Sequence, residues 1–255
     1  MITDSFDNKT KPYITPGDFY QTAPRNNKVC LVTYSGPLFN YVKAHYELKE
    51  ELVYKTTGGM FKVYNFDYEG QNLLFYLTFI GATLTATLMS EISTLTGCHR
   101  FVFFGSCGVL NEEKCRWKVI VPNESYRDEG ISYHYAPASD YISVRNYARI
   151  ASFLENNHIA YVVGRVWTTD AFYMETASKI QKRKDANTLA VEMEVSGVEA
   201  VSRYYDIDNY HILFSADSLG DNEWARADMG GDQELGLQVN SFLVAAKFAL
   251  TLLEN

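Results

Sequence analysis

Short apolar runs alternate with helix-like segments along most of this chain, and this alternation is the feature that most limits its fold. Runs typical of buried strands lie at 29–33, 61–67, 73–79, 100–104, 118–122, 160–168, 188–192 and 211–216. Apolar residues spaced three or four apart predict helices at 38–53, 84–95, 144–156, 176–184, 196–205 and 235–253. Strands that alternate with helices predict an α/β fold in which helices pack against a sheet.

Two segments fall outside this alternation. Residues 1–26 are polar and contain Pro12, Pro16 and Pro24, so they predict an irregular N-terminal lead-in. Residues 123–139 are dense in Tyr, Arg, Glu and His and predict a long loop. The chain of 255 residues has no internal repeat, and its length suits one large domain, which we place at 27–255.

Composition and charge exclude several classes of function. The formal net charge is −8 and the chain has no Lys/Arg stripe, so we expect no binding to nucleic acid or to an anionic membrane. No apolar run reaches the ~20 residues of a membrane helix, and the first residues lack a signal-peptide pattern. We therefore expect a cytoplasmic protein. The four cysteines form no C-x-x-C pair, so we expect no metal site and no cofactor.

Small and polar residues follow three of the predicted strands. They are Ser35-Gly36-Pro37, Gly105-Ser106-Cys107-Gly108 and Ser215-Ala216-Asp217. Open α/β sheets bind ligands at the carboxyl ends of their strands, so these segments predict one site. Glycines there let a ligand approach the backbone closely. The alternative is a tight strand-to-helix turn that simply requires glycine.

A methionine between two carboxylates marks the turn from the 188–192 run into the next helix, in Glu192-Met193-Glu194. A thioether that packs against a ring face, beside a carboxylate that accepts hydroxyl hydrogen bonds, suits a sugar. The alternative is a core methionine between two solvated acids at a helix start, where the helix dipole favours negative charge.

Taken together, five segments resemble the nucleoside phosphorylase family, which includes purine nucleoside phosphorylase, uridine phosphorylase and the methylthioadenosine nucleosidases. The segments, in chain order, are 105–108, 127–135, 168–173, 191–194 and 215–217. The resemblance runs from about Val29 to the C-terminus. It implies a three-layer α/β/α fold around a mixed, partly barrel-like sheet, and cleavage of the N-glycosidic bond of a nucleoside by phosphate or water. It also implies a homo-oligomer, either a dimer or a hexamer built from dimers.

The same resemblance implies roles for residues that would hold the sugar and the base. Met193 and Glu194 are similar to the family's ribose-binding pair, and Glu192 precedes them as an assisting residue. Phe172 resembles the ring that stacks on the base, with Tyr173 behind it.

The wall of the site and its acid are implied in the same way. Ser106, Cys107 and Gly108 resemble the family's wall that contacts the base and the ribose or phosphate. Asp217 resembles the acid that protonates a purine at N7, and Arg226 is the candidate arginine that partners this acid.

The chain departs from the family where phosphorylases bind phosphate. Phe39, Gly58 and Phe103 stand at the three positions where the family's phosphate-binding arginines are expected. A buried phosphate dianion without paired cations is very costly. This departure places phosphorolysis in doubt and favours water as the acceptor.

The acceptor nevertheless stays open at this stage. The glutamate with which nucleosidases activate water is not evident in the 35–38 segment. Gly36, Ser106 and Arg127 are the candidate residues of a pocket for phosphate or water, and phosphate is a possible co-substrate.

Three hypotheses follow. The first is an enzyme that cleaves purine nucleosides, because Asp217 is the purine-type acid. The second is a uridine phosphorylase-type enzyme, which is less well matched because Met174, Glu175 and Thr176 follow the Phe-Tyr pair. The third is a catalytically silent protein that binds a nucleoside as a sensor or store.

Overall fold

Strands and helices alternate along most of the chain, as the apolar pattern predicts. The structure is a computed structural model and describes residues 2–7, 9–56, 58–219 and 232–253. Within this part of the chain the strands are β1 (Cys30–Thr33), β2 (Lys49–Thr56), β3 (Gly59–Tyr68), β4 (Gln71–Leu77), β5 (Arg100–Val109), β6 (Val119–Asp128), β7 (Tyr141–Ser143), β8 (Tyr161–Thr169), β9 (Ala190–Glu192) and β10 (Asp208–Ser218). The helices are α1 (Pro16–Phe19), α2 (Gly36–His45), α3 (Ala82–Thr96), α4 (Glu112–Cys115), α5 (Ser132–Tyr135), α6 (Tyr147–Asn156), α7 (Ala177–Asp185), α8 (Val195–Tyr205) and α9 (Asp232–Leu253). Two short 3-10 turns lie at Ile2–Ser5 and Phe172–Met174.

The sheet is part barrel and part open wing. Strands β5, β9, β8, β6 and β10 pair in that order, and β10 then pairs with β5 to close the circuit. Strand β1 joins β5, and β4, β3 and β2 extend the wing beyond it. Parallel pairs such as β1–β5 occur beside antiparallel pairs such as β2–β3. The predicted mixed and partly barrel-like sheet is therefore confirmed.

Helices cover both faces of the wing, and the alternation of strand side chains explains why. Leu31 packs in one core with α2, α6 and α9, whereas Val32 packs in a second core with α3 and α8. Successive residues of a strand point to opposite faces, so a strand buried on both sides is apolar throughout. A third cluster fills the barrel and takes Val109, Ile120, Val166, Ala190 and Leu213, one from each of its five strands.

The predicted helix at 38–53 is wrong in its second half. Helix α2 ends at His45, and Tyr46 takes an extended conformation. Residues 49–56 form β2, which pairs with β3 from Lys49 opposite Asn65 to Thr56 opposite Gly59. The apolar spacing of residues 49–53 fits a helix and a strand equally well. The hydrogen bonds with β3 favour the strand, and the local sequence does not reveal this pairing.

Three predicted strands are too short for the same reason. Strand β5 continues through Gly105–Gly108 because β10 and β9 pair with it there. Strand β10 runs on to Ser218, so Asp217 lies inside a strand and not after it. The predicted loop 123–139 is also wrong: β6 continues to Asp128 between β8 and β7, and α5 follows. The alternative of a strand-to-helix turn at Gly105–Gly108 is thereby excluded.

Two terminal regions pack onto this frame. Residues 23–26 lie against the end of α3, where the Ala23 N–H donates to the Thr94 carbonyl oxygen and Asn26 pairs with Cys98. In the described part of the chain, one helix, Glu234–Leu253, is long and apolar enough to cross a membrane by length and composition. Its side chains at Phe242 and Phe248 are buried in the first core, which is the behaviour of a core helix.

Candidate active site

The ends of β1, β5, β9 and β10 surround a cavity of about 620 Å³. It is the size of a small-molecule site. Of the residues predicted from the sequence, those that line it are Gly36, Ser106, Cys107, Gly108, Phe172, Glu192, Met193, Glu194 and Asp217. These residues come from five separate segments of the chain, so the fold brings together what the sequence could only propose as one site.

Glu194 is a nearly buried carboxyl at the start of α8. Its Oε1 accepts the Gly81 N–H at 2.7 Å, and the residue lines the cavity. Burial, followed by the nearby Glu192 charge, raises the pKa of Glu194. A carboxyl of this kind can accept or share hydrogen bonds with a ligand hydroxyl, which fits the predicted contact to ribose.

The Glu192 carboxyl accepts a different set of hydrogen bonds from that of Glu194. Its Oε2 accepts the N–H groups of Glu194 at 2.6 Å and Val195 at 2.7 Å, and its Oε1 accepts the Thr168 hydroxyl. Burial is the main cause that raises the pKa of Glu192. This carboxyl holds the turn into α8 and so orients Met193 and Glu194. The predicted role of Glu192 as an assisting residue is therefore best understood as positioning.

Tyr34 is a lining residue that the sequence analysis missed. Its ring lies against Gly105, where an added Cβ would be 2.9 Å from Tyr34 Cδ2. Burial is the main cause that raises the pKa of the Tyr34 hydroxyl, and the charges of Glu194 and Glu192 come next. The hydroxyl thus stays protonated beside the two carboxyls. The only available signal was the position of Tyr34 at the end of β1.

Asp217 and Gly108 meet at the opposite wall. A bulge between Ser215 and Asp217 shifts the register of β10, so Asp217 lies opposite Gly108 of β5. A Cβ at residue 108 would lie 3.2 Å from Asp217 Oδ1, so glycine leaves room for this carboxyl. Glu175 lines the cavity too, and burial together with the Asp217 charge raises its pKa to about 7. Phe172, with a half-exposed ring, is a further lining residue.

Cys107, in the glycine-rich segment 105–108, forms part of the cavity wall. Cys107 is buried, and its Sγ donates to the Phe214 carbonyl oxygen at 3.4 Å. Burial raises the pKa of this thiol well above its usual value. Because the thiolate is the nucleophilic form, Cys107 is not suited to nucleophilic catalysis, whereas Ser106 beside it is exposed.

The phenylalanines at the expected arginine positions belong to the apolar cores. The Phe39 ring stacks on Phe75 with centroids 5.5 Å apart. Phe103 is buried and stacks on His211 at 5.2 Å. Burial lowers the pKa of His211 to about 3, so this imidazole is neutral and supplies no cation.

Two of the described site residues predicted from the sequence, Tyr173 and Arg127, do not line the cavity. Tyr173 is 94% exposed. The Arg127 guanidinium is 3% exposed and donates to Ser132 Oγ at 2.8 Å and to the Pro137 carbonyl oxygen at 2.7 Å, and it lies over the Tyr133 ring. These contacts tie β6 to α5, so we leave Arg127 out of the proposed acceptor pocket. Arg226 lies outside the described residues.

A second set of polar residues comes from α9 and from the turn before α2. Ser35, which belongs to a predicted segment, lines the cavity together with Glu234 and Gln238, although more than 190 residues separate it from these two. The sequence analysis missed Glu234 and Gln238, because they lie in a helix whose composition is mostly apolar and no local pattern signals them. Among the described residues, no group of three His, Cys, Asp or Glu side chains is arranged to hold a metal ion.

The model of the phosphorylase superfamily matches residues 28–246. The chain belongs to this superfamily. The family resemblance drawn from the five segments is thereby confirmed, and the matched residues include every segment that lines the cavity.

Several relatives have names that refer to purine nucleosides. The chain is 31% identical to a guanosine phosphorylase of Halorubrum lacusprofundi over 56% of its own length and 60% of that protein's. It is 25% identical to a DeoD-type purine nucleoside phosphorylase of Alkaliphilus metalliredigens over 73% of the chain and 78% of the relative. A solved structure, the AMP nucleosidase from Bacteroides thetaiotaomicron, matches with a TM-score of 0.66 at 18% identity, over 89% of this chain and 88% of that one, and shows the shared fold.

Proposed function

We propose that this protein cleaves the N-glycosidic bond of purine nucleosides and uses water as the acceptor. The observation that carries the proposal is one cavity that holds the Met193-Glu194 pair, the Phe172 ring and the Asp217 carboxyl. The superfamily match and the purine-directed relatives support the class of reaction.

The chemistry divides between the two ends of the cavity. The C1′–N9 bond breaks as positive charge develops on the ribose, and the departing base needs a proton. Glu194 orients the ribose by hydrogen bonds between its carboxyl and the ribose hydroxyls. Asp217 delivers a proton to N7 of the purine, and a general acid of this kind contributes roughly 100- to 10,000-fold.

The charge of the cavity favours water over phosphate. All of its charged lining side chains in the described part of the chain are carboxyls, namely Glu175, Glu192, Glu194, Asp217 and Glu234. Phe39 and Phe103 fill the expected arginine positions with apolar rings. A phosphate dianion here would lose its hydration without gaining a paired cation, which is unfavourable. Water carries no charge and meets no such penalty.

The test is an incubation of the protein with a panel of purine and pyrimidine nucleosides, with and without phosphate, followed by chromatography of the free base and sugar. We expect purine base and free ribose at a rate independent of phosphate. Phosphate should not raise the thermal midpoint either, whereas a ligand at ten times its Kd adds about 1.4 kcal/mol. Ribose 1-phosphate as the product would refute hydrolysis, and binding without base release would indicate the silent protein.

We also propose that the protein acts in the cytoplasm as a homo-oligomer. The described cysteines are all free and buried, which suits a reducing compartment. Exposed apolar side chains lie at Phe79, Ile80 and Leu84 and at Tyr173 and Met174, in two segments that each supply a lining residue, Ile80 and Phe172. Exposed apolar patches of this kind mark interfaces. Sedimentation of the wild-type protein and of a Leu84→Asp variant tests this, since the variant should dissociate.

A further inference from the structure

A chain of three polar side chains crosses from α9 to the start of α2 at the edge of the cavity. The Ser35 hydroxyl donates to Gln238 Oε1 at 2.5 Å, and Gln238 Nε2 donates to Glu234 Oε1 at 3.0 Å. Gln238 is only 7% exposed. All three residues line the cavity that holds Glu194 and Asp217. This polar chain lies beside Gly36, a candidate residue of the acceptor pocket that lines the same cavity.

The direction of these hydrogen bonds is set by the backbone. The Leu38 N–H donates to Ser35 Oγ at 3.2 Å, so the serine hydroxyl proton is free to point at Gln238. The Gln238 carbonyl oxygen accepts it, and the amide nitrogen is left to donate to Glu234. The Glu234 carboxyl is therefore held in place at the edge of the cavity by a neutral amide donor.

The other acids of the cavity have assignments of their own. Glu192 accepts two backbone N–H groups and a threonine hydroxyl. Glu194 is the predicted ribose ligand, and Asp217 is the proposed acid for the base. Burial and the Asp217 charge raise the pKa of Glu175 to about 7, so Glu175 suits proton donation. Glu234 is the remaining carboxyl of the described lining, and the Gln238 amide holds it at the edge of the cavity.

We infer that Glu234 is the general base that activates the attacking water, and that Gln238, held by Ser35, is the residue that positions it. The inference rests on the proposed hydrolysis. The water oxygen forms a bond to C1′ as the C1′–N9 bond breaks, and its proton passes to the Glu234 carboxylate. The electron pair of the broken bond goes to the base, which Asp217 protonates. Glu234 then returns its proton to solvent and Asp217 recovers one, so the sum is nucleoside plus water giving ribose plus base.

Glu234→Gln is the first test, because a glutamine at 234 can still accept the Gln238 amide hydrogen and so keep the local structure. We expect kcat for base release to fall at least about 100-fold, the lower bound for a general base, with KM changed less than about threefold. In a Glu234→Ala variant, sodium formate should restore part of the lost rate, since a small carboxylate can occupy the vacated space. A purely structural role for Glu234 would give no formate rescue.

Gln238→Leu tests the positioning residue through the choice of nucleophile. In buffer that contains methanol, the products are ribose and methyl riboside, and their ratio reports how the acceptor is held. Leucine removes the polar anchor and leaves an apolar wall, so we expect a lower kcat and a several-fold larger share of methyl riboside. A side chain that only joined α9 to α2 would lower the thermal midpoint and leave this ratio unchanged.

The chain offers a matched control on α7. Gln181 Nε2 donates to Asp185 Oδ1 at 2.8 Å, also across one helical turn, but this pair is exposed and away from the cavity. Gln181→Leu and Asp185→Asn should leave both rate and product ratio at wild-type values. If the wild type releases base and Glu234→Gln keeps its full rate, the inference is overturned and the proposed function stands. If the wild type releases no base from any nucleoside, the proposed function fails and the inference fails with it.

Discussion

Two neighbouring glutamates show how the surroundings of a residue assign its task. The Glu192 carboxyl accepts hydrogen bonds from the Glu194 and Val195 N–H groups and from the Thr168 hydroxyl. Glu194, two residues on, accepts the Gly81 N–H and lines the cavity. The first arrangement orders the start of α8, and the second leaves a ligand group in place.

Replacing each glutamate with glutamine should therefore affect different properties, namely activity for Glu194 and stability for Glu192. Glu194→Gln keeps an oxygen for Gly81 but replaces the second carboxyl oxygen, a candidate acceptor for a ribose hydroxyl, with an NH₂ group that only donates. We expect kcat/KM to fall at least tenfold, or about 1.4 kcal/mol, with the thermal midpoint nearly unchanged. Glu192→Gln places an amide where only acceptors fit, and should cost about 1–3 kcal/mol of folding free energy. Kinetics and thermal melts on both variants check this, and a fully active, folded Glu194→Gln would refute the ribose contact.

Asp217 gives a second prediction at this scale. Asp217→Asn can still offer an N–H to the base but cannot deliver a proton. Ordinary purine nucleosides should lose at least about 100-fold in rate, roughly 2.7 kcal/mol of transition-state stabilisation. A nucleoside whose base is already cationic, such as an N7-alkylated purine, leaves without protonation and should lose far less. Equal losses on both substrates would show that Asp217 only supports the structure.

At the scale of elements, the junction between α3 and β5 depends on one glycine. Gly97 ends α3 with φ +70°, and a Cβ there would lie 1.9 Å from the Pro24 carbonyl oxygen. The Asn26 N–H donates to the Gly97 carbonyl oxygen, so the segment before β1 is seated directly on this turn. No other residue type fits both the left-handed conformation and the contact with residues 23–26.

Gly97→Ala should therefore destabilise the protein even though residue 97 does not line the cavity. The left-handed conformation alone costs about 1–2 kcal/mol for a residue with a Cβ, and the displaced 23–26 segment adds to this. The thermal midpoint should fall by several degrees. Gly236→Ala in α9 is the control: a Cβ there meets nothing within 4 Å, and alanine is favoured in a helix by up to about 1 kcal/mol. Equal midpoints for Gly97→Ala and wild type would contradict the steric argument.

For the whole molecule, the buried ionisable groups of the cavity and core link stability to pH. Burial raises the pKa of Glu192 and Glu194, and burial with the Asp217 charge raises that of Glu175 to about 7. Burial lowers the pKa of His211 to about 3. The carboxyls bind protons more tightly in the folded state than in the unfolded one, whereas the histidine binds its proton less tightly.

The sign of the pH dependence follows from these shifts. The carboxyls contribute stability that is present at acid pH and lost as pH rises through their folded pKa values. The His211 contribution is lost as pH falls below about 6.5, so only the carboxyls act between pH 6.5 and 8. We expect the thermal midpoint of the ligand-free protein to fall over this interval, and to fall less in a Glu175→Gln variant. A midpoint that rises from pH 6.5 to 8 would contradict the raised carboxyl pKa values.

The sequence by itself determined the α/β class, most of the strand and helix positions, the superfamily and most of the segments that line the cavity. Apolar periodicity and short motifs involve residues that are close together in the chain, so the sequence alone reveals them. Tertiary structure alone decided that 49–56 pairs as a strand, that β5 and β10 run on past Gly105 and Ala216, and that Arg127 joins β6 to α5. It also brought Ser35 to Gln238 across the fold. Backbone pairing and contacts between residues distant in the chain depend on how the whole chain packs, and no local pattern encodes them.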